Sequence, residues 1–127
     1  MGRILRDIWI LTESGLTVFS RVLDPKMGPQ VFGGLMSALN TFAESLVEGG
    51  ISKFEISHTR YIVVKKNHFL FVANTSNEIK NKKSLSELKK ISKRFFEVYP
   101  EDIIKNFGVN IKKFASFKNY INNSLEE

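Results

Sequence analysis

The sequence predicts an α+β domain built on one five-stranded antiparallel sheet. Three observations carry that prediction. The apolar patterning along the 127 residues reads strand, strand, helix, strand, strand, strand, helix, helix. Two of the strand segments, Ile8-Trp9-Ile10-Leu11 and Phe69-Leu70-Phe71-Val72-Ala73, are apolar without alternation, as strands covered on both faces are. Between strands two and three runs a long amphipathic segment that opens at Pro29 and stops at Gly49-Gly50, the proline-first, glycine-last signature of a helix.

The first strand is read from Ile4 to Thr12 and the second from Leu16 to Leu23, with Ser14-Gly15 as the tight turn that makes them a hairpin. Strand two alternates better than strand one and sits nearer an edge. The loop Asp24-Pro25-Lys26-Met27-Gly28-Pro29 leads into a helix expected over Pro29 to Val47. One stripe of that helix holds Val31, Leu35, Ala38, Leu39, Phe42 and Leu46; a second, beside it, holds Phe32, Met36, Ala43 and Val47. The remaining face, Gly33, Gly34, Ser37, Asn40, Thr41, Glu44 and Ser45, is small and polar and has no lysine or arginine.

Strand three, Ile51 to Ser57, alternates and carries charges, the usual protection of a sheet edge. Strand four spans Arg60 to Lys65, a turn at Lys66-Asn67 follows, and strand five spans Phe69 to Ala73. Strands one and five therefore belong inside the sheet, and strands two and three at its margins. Asn74 to Lys83 reads as a polar loop. Ser84 and Glu87 match a capping box for a helix whose apolar stripe is Leu85, Leu88, Ile91, Phe95 and Val98, ending at Tyr99-Pro100. After a short connector, Asn110 is placed to cap a last helix with the stripe Ile111, Phe114, Phe117, Ile121 and Leu125.

The chain is read as a single domain over residues 1–127, with no signal peptide and no apolar run near the roughly 20 residues needed to span a bilayer. It has no cysteine, which excludes disulfides and thiolate metal sites and fits a cytoplasmic setting. The net charge of +6 is unevenly placed. Residues 80–127 hold eleven Lys and Arg against six Asp and Glu, whereas residues 27–50 hold two Glu and no cation.

No residue set reads as catalytic. The two histidines, His58 and His68, lie at separate turns, short of the clustering a metal site needs. Glu44 and Glu48 are one helical turn apart but have no histidine or nucleophile in pattern with them. Gly33-Gly34 is not part of a glycine-rich phosphate loop, and no serine sits in a nucleophile elbow. Neither a cofactor nor a metal is expected. The basic clusters lack the exposed aromatic platforms of a single-strand nucleic-acid binder, so nucleic acid is not expected; peripheral contact with an anionic membrane stays open.

The order β-β-α-β-β-β-α-α, together with the Trp9 strand, the Gly15 hairpin and the helix ended by Gly49-Gly50, resembles the longin fold over about residues 3–125. That fold is shared by SNARE longin domains, sigma adaptins and sedlin-type TRAPP subunits. The run FGGLMSALNTFAESLVEGGIS looks most like archaeal longin-domain proteins. The resemblance implies strand order 2-1-5-4-3 in a three-layer α/β/α arrangement, with the first helix on one face and the last two on the other. It also implies a dimerising, non-catalytic scaffold of the vesicle-trafficking kind, binding or regulating a small Ras-like GTPase or another longin or roadblock protein. Roadblock, a sister fold, begins with a helix, for which the early first strand leaves no room. The alternatives are a ligand-sensing profilin- or PAS-like module, or a basic adaptor on an anionic membrane. The partner interface is expected on the first helix, at Phe32, Gly33, Gly34, Met36, Ser37, Asn40, Thr41 and Glu44.

Overall fold

The computed structural model describes residues 4–56, 58–75, 80–108 and 110–125. Five strands, β1 (Asp7–Thr12), β2 (Thr17–Arg21), β3 (Lys53–Ile56), β4 (Thr59–Lys66) and β5 (Phe69–Thr75), form one sheet in the order β2-β1-β5-β4-β3. Every neighbouring pair is antiparallel. Strands one and five are interior, as their two-sided apolar character requires. Gly15 takes φ +101° in the β1–β2 turn, and Asn67 and His68 take φ +49° and +68° in the β4–β5 turn, where asparagine tolerates the left-handed region.

Alternation along the strands separates two cores. Ile8, Ile10, Ile62, Phe69, Phe71 and Ala73 point to one side of the sheet, where they meet Leu88, Ile91, Phe95, Phe114, Phe117 and Ile121. Trp9, Leu11, Val63, Leu70 and Val72 point to the other, where they meet Phe32 and Met36. The first core is covered by α2 (Asn81–Val98) and the C-terminal segments, the second by α1 (Pro29–Glu44) alone. The result is the three-layer α/β/α arrangement.

The local boundaries differ from expectation in instructive ways. Residue 5 does not extend β1; Leu5 instead forms a parallel bridge with Leu125. α2 starts at Asn81, so Ser84 lies inside it, buried, with its hydroxyl donating to the Asn81 carbonyl. Glu87 does not reach back to complete a cap; it accepts the Ser124 hydroxyl. β5 runs on to Thr75 because Asn74 finds a partner. Asp7 N–H donates to Asn74 Oδ1 and Asn74 Nδ2 donates to Asp7 Oδ2, both at 3.0 Å in a buried setting. A matched amide and carboxylate stay in a strand where a lone polar residue would end it.

After α2 comes a short helix, α3 (Glu101–Asn106). The last segment is not one α-helix from Asn110, whose side chain makes no capping bond. It is a 3-10 helix at Ile111–Phe117, one turn of α-helix, α4 (Lys118–Ile121), and a further 3-10 turn at Asn122–Ser124. The apolar residues explain this. Ile111, Phe114 and Phe117 recur every third residue, the period of a 3-10 helix, and Phe114 and Phe117 are fully buried against Phe95.

Candidate functional site

Helix α1 is held to the sheet by small residues and polar hooks as well as by apolar contact. A Cβ on Gly33 would lie 2.4 Å from both the Gly15 carbonyl oxygen and Thr17 Oγ1, so glycine is what lets α1 press on the β1–β2 hairpin. Gln30, in the first turn, grips the edge strand β2. Its Oε1 accepts from Thr17 N–H and its Nε2 donates to Thr17 C=O, each at 2.9 Å. The Ser37 hydroxyl donates to the Glu13 carbonyl in the same hairpin. At the other end of the helix, Asn40 Oδ1 accepts from Ile51 N–H, and Lys65 donates to the Gly49 carbonyl and lies 3.7 Å from Glu44.

These contacts sort the eight residues expected at a partner interface. Phe32, Gly33, Met36 and Asn40 are buried under α1, facing the sheet. They are packing residues, which corrects the expectation that a partner could reach them. Ser37 is half-buried and engaged with Glu13, and Glu44 is exposed but engaged with Lys65. Gly34 and Thr41 are exposed, and a Cβ on Gly34 would meet nothing within 4 Å.

The two apolar stripes of α1 exchange the roles that their sizes suggest. The narrower stripe, through Phe32 and Met36, packs on Trp9 and Leu11. Most of the wider one faces water: Val31, Leu35 and Phe42, with Leu46 just past the helix end, are 50–68% exposed, while Leu39 is half-buried against the same core as Phe32 and Met36. Periodicity alone cannot choose between adjacent stripes. The choice follows from what flanks each, because Gly33 sits flush on the hairpin and Asn40 bonds Ile51 at the entry to β3. On the exposed side, Val31, Leu35, Ala38 and Phe42 are spaced four, three and four residues apart. That is the spacing by which one helix presents a seam to another.

The sheet edges beside α1 are unequal. Gln30 occupies outward backbone groups of β2 at Thr17. On β3, Ser52 C=O accepts from Val63 N–H of β4. By antiparallel alternation Lys53 and Glu55 turn their backbone groups away from the sheet. Ile56 at the end of this edge is 57% exposed.

Little else gathers chemistry. Among the described residues no group of three or more His, Cys, Asp or Glu is placed to hold a metal ion. His58 is exposed, and His68 Nδ1 lies 3.1 Å from Glu13 Oε1 at the surface. One groove of about 380 Å³ is lined by Lys53, Phe54, Glu55, Arg60, Tyr61 and Asn81. A second, of about 620 Å³, lies between the β4–β5 turn and α3. Among the described residues no helix is long and apolar enough to cross a membrane. The sequence signals for the exposed seam were present; those for the Gln30 clamp and the Asp7–Asn74 pair were not, since each depends on residues far apart in the chain.

Solved structures share this architecture. Myxococcus xanthus MglB matches with a TM-score of 0.57 at 10% identity, over 75% of this chain and 85% of its own. A roadblock/LC7 domain from Streptomyces avermitilis matches with a TM-score of 0.55 at 16% identity, over 74% of this chain and 87% of its own. No protein-family model matches the sequence, and no curated protein matches it. The fold is thus longin-like, and its neighbours are roadblock and MglB structures, the sister group that an early first strand argued against.

Proposed function

We propose that this protein is a non-catalytic interaction scaffold that assembles through the outer face of α1 and binds or regulates a small Ras-like GTPase. The observation that carries the proposal is the exposed seam of Val31, Leu35, Ala38 and Phe42 on a helix with no cationic residue. Large apolar side chains aligned on one solvent-facing stripe are costly unless a partner covers them. Gly34 and Thr41 lie alongside, where a bulky side chain is absent and a second backbone can come close. The open backbone of β3 offers a neighbouring edge for strand addition, whereas the Gln30 clamp withdraws part of β2.

The longin-like fold and the resemblance of the chain to longin scaffolds support this partner class, Ras-like GTPases and other longin or roadblock chains. Sedimentation of the purified chain over a wide concentration range tests assembly. Titration against candidate GTPases in both nucleotide states tests the partner. A strict monomer that binds no GTPase in either state overturns the proposal. Binding that favours the nucleotide-free form identifies an exchange factor; equal binding in both states identifies a scaffold, because a ligand indifferent to two states cannot shift them.

A further inference from the structure

The layer on the other side of the sheet has an opposite electrical character. Along α2, Lys82, Lys83, Lys89, Lys90, Lys93 and Arg94 are all exposed. At 100° per residue they fall within one arc of about 140°, centred opposite the buried line of Ser84, Leu88, Ile91, Ser92 and Phe95. They span twelve residue steps, about 18 Å of helix. The one acid within this span, Glu87, is turned to the flank, where it takes the Ser124 hydroxyl and sits 3.9 Å from Lys90. Arg94 lies 3.9 Å from Glu97. Among the described residues, Lys82, Lys83, Lys89 and Lys93 have no carboxylate within ion-pairing distance. Lys112, Lys113 and Lys118, on the C-terminal segments packed beside α2 in the same layer, are exposed as well.

We infer that the outer face of α2 is a peripheral docking surface for an anionic lipid bilayer. Charge complementarity selects the occupant. The array is a convex helix face with five lysines to one arginine. Lysine ammonium groups act as mobile point charges that suit a fluid plane of headgroups, whereas nucleic-acid sites draw on the arginine fork and on free aromatic faces. Among the described residues, the one exposed ring beside the array, Tyr120, has the Arg94 guanidinium over its face at 5.6 Å and is not free for a base. The bilayer is approached from the sheet face opposite α1, so docking leaves the α1 seam turned away from the membrane. The inference does not depend on what α1 binds.

The test is co-sedimentation of the full chain with phosphatidylcholine vesicles, with and without phosphatidylserine. Binding is expected only with phosphatidylserine, and it should weaken steeply with salt, because exposed charges are screened beyond about 10 Å at 0.1 M. Each unit of positive charge removed from the array should lower partitioning about fivefold. Lys93→Glu should therefore lower it about twenty-fivefold, while Lys26→Glu, the same charge change in the exposed loop before α1, should have a far smaller effect. Circular dichroism confirms that both variants remain folded. Equal binding to both vesicle types, equal losses from Lys26→Glu and Lys93→Glu, or binding to single-stranded nucleic acid without binding to vesicles would each overturn the inference.

Discussion

The rings of Trp9 in β1 and Phe32 in α1 are stacked, with centroids 4.0 Å apart and planes 18° from parallel. Tyr61 of β4 closes the group at 6.1 Å from Trp9 and is itself stacked on Phe54 of β3 at 4.7 Å. One aromatic chain thus runs from the interior strand β1, under α1, to the open edge strand β3. It packs α1 onto the sheet alongside the close approach of Gly33 to Gly15 and the Asn40–Ile51 hydrogen bond, and with them leaves Val31, Leu35 and Phe42 facing water.

Removing the helix's share of that chain should cost stability before it affects any partner. Phe32→Ala deletes a buried ring and leaves a cavity beside Trp9, for an expected loss of about 3–5 kcal/mol. Chemical denaturation followed by Trp9 fluorescence measures it. A loss below about 1 kcal/mol would show that the stack does not anchor α1.

The adjacent glycines should respond oppositely to the same change. Gly33→Ala places a Cβ against the Gly15 carbonyl and Thr17 Oγ1, and overpacking of that kind costs about 1–3 kcal/mol. Gly34→Ala meets open space within an α-helix and should stabilise the isolated chain by about 0.5–1 kcal/mol. Melting temperatures of the two variants, compared with the parent, should move in opposite directions.

Much of this was legible in the sequence, and the limits have physical causes. Interior and marginal strands could be told apart because two-sided burial abolishes alternation in β1 and β5. The order of elements carried the longin resemblance, and that resemblance implied the strand order. The orientation of α1 could not be read, because two apolar stripes lie side by side and the deciding contacts, Gly33 on Gly15 and Asn40 on Ile51, join distant residues. For the same reason four of the eight expected interface residues proved to be core. The capping box at Ser84 misled because the motif is local, while the helix gains its extra turn from residues upstream of it.

Near the second groove, the Glu101 carboxyl is held below its ordinary value by a hydrogen bond from Lys105 and by that ammonium's charge, one helical turn away in α3. A carboxyl whose folded value is lowered contributes stability that is fully present above its unfolded value and fades as pH falls through the folded one. Lys105→Gln should return the Glu101 titration toward the ordinary carboxylate range. Side-chain carboxyl NMR shifts across an acid titration read this directly; an unchanged midpoint in the variant would remove Lys105 as the cause.

The sharpest comparison is between the two sides of α1. Leu35 and Phe42 lie on the exposed seam, at 50% and 63% exposure, whereas Met36 is 1% exposed. Leu35→Lys and Phe42→Glu place charges where the chain already meets water, so the monomer should keep its fold, within about 0.5 kcal/mol. Met36→Lys buries an unpaired ammonium against Trp9 and Leu11, and should unfold a large fraction of the chain. If α1 carries the assembly, Leu35→Lys and Phe42→Glu should shift sedimentation toward monomer and weaken GTPase binding, with circular dichroism and melting temperature unchanged. Met36→Lys should lose both together. A folded Leu35→Lys, Phe42→Glu double variant that assembles and binds as the parent does would show that the seam is not the interface. Attention would then move to the open edge of β3, where Ile56→Lys puts a charge at a strand end that is already 57% exposed and should weaken only an assembly made through that edge.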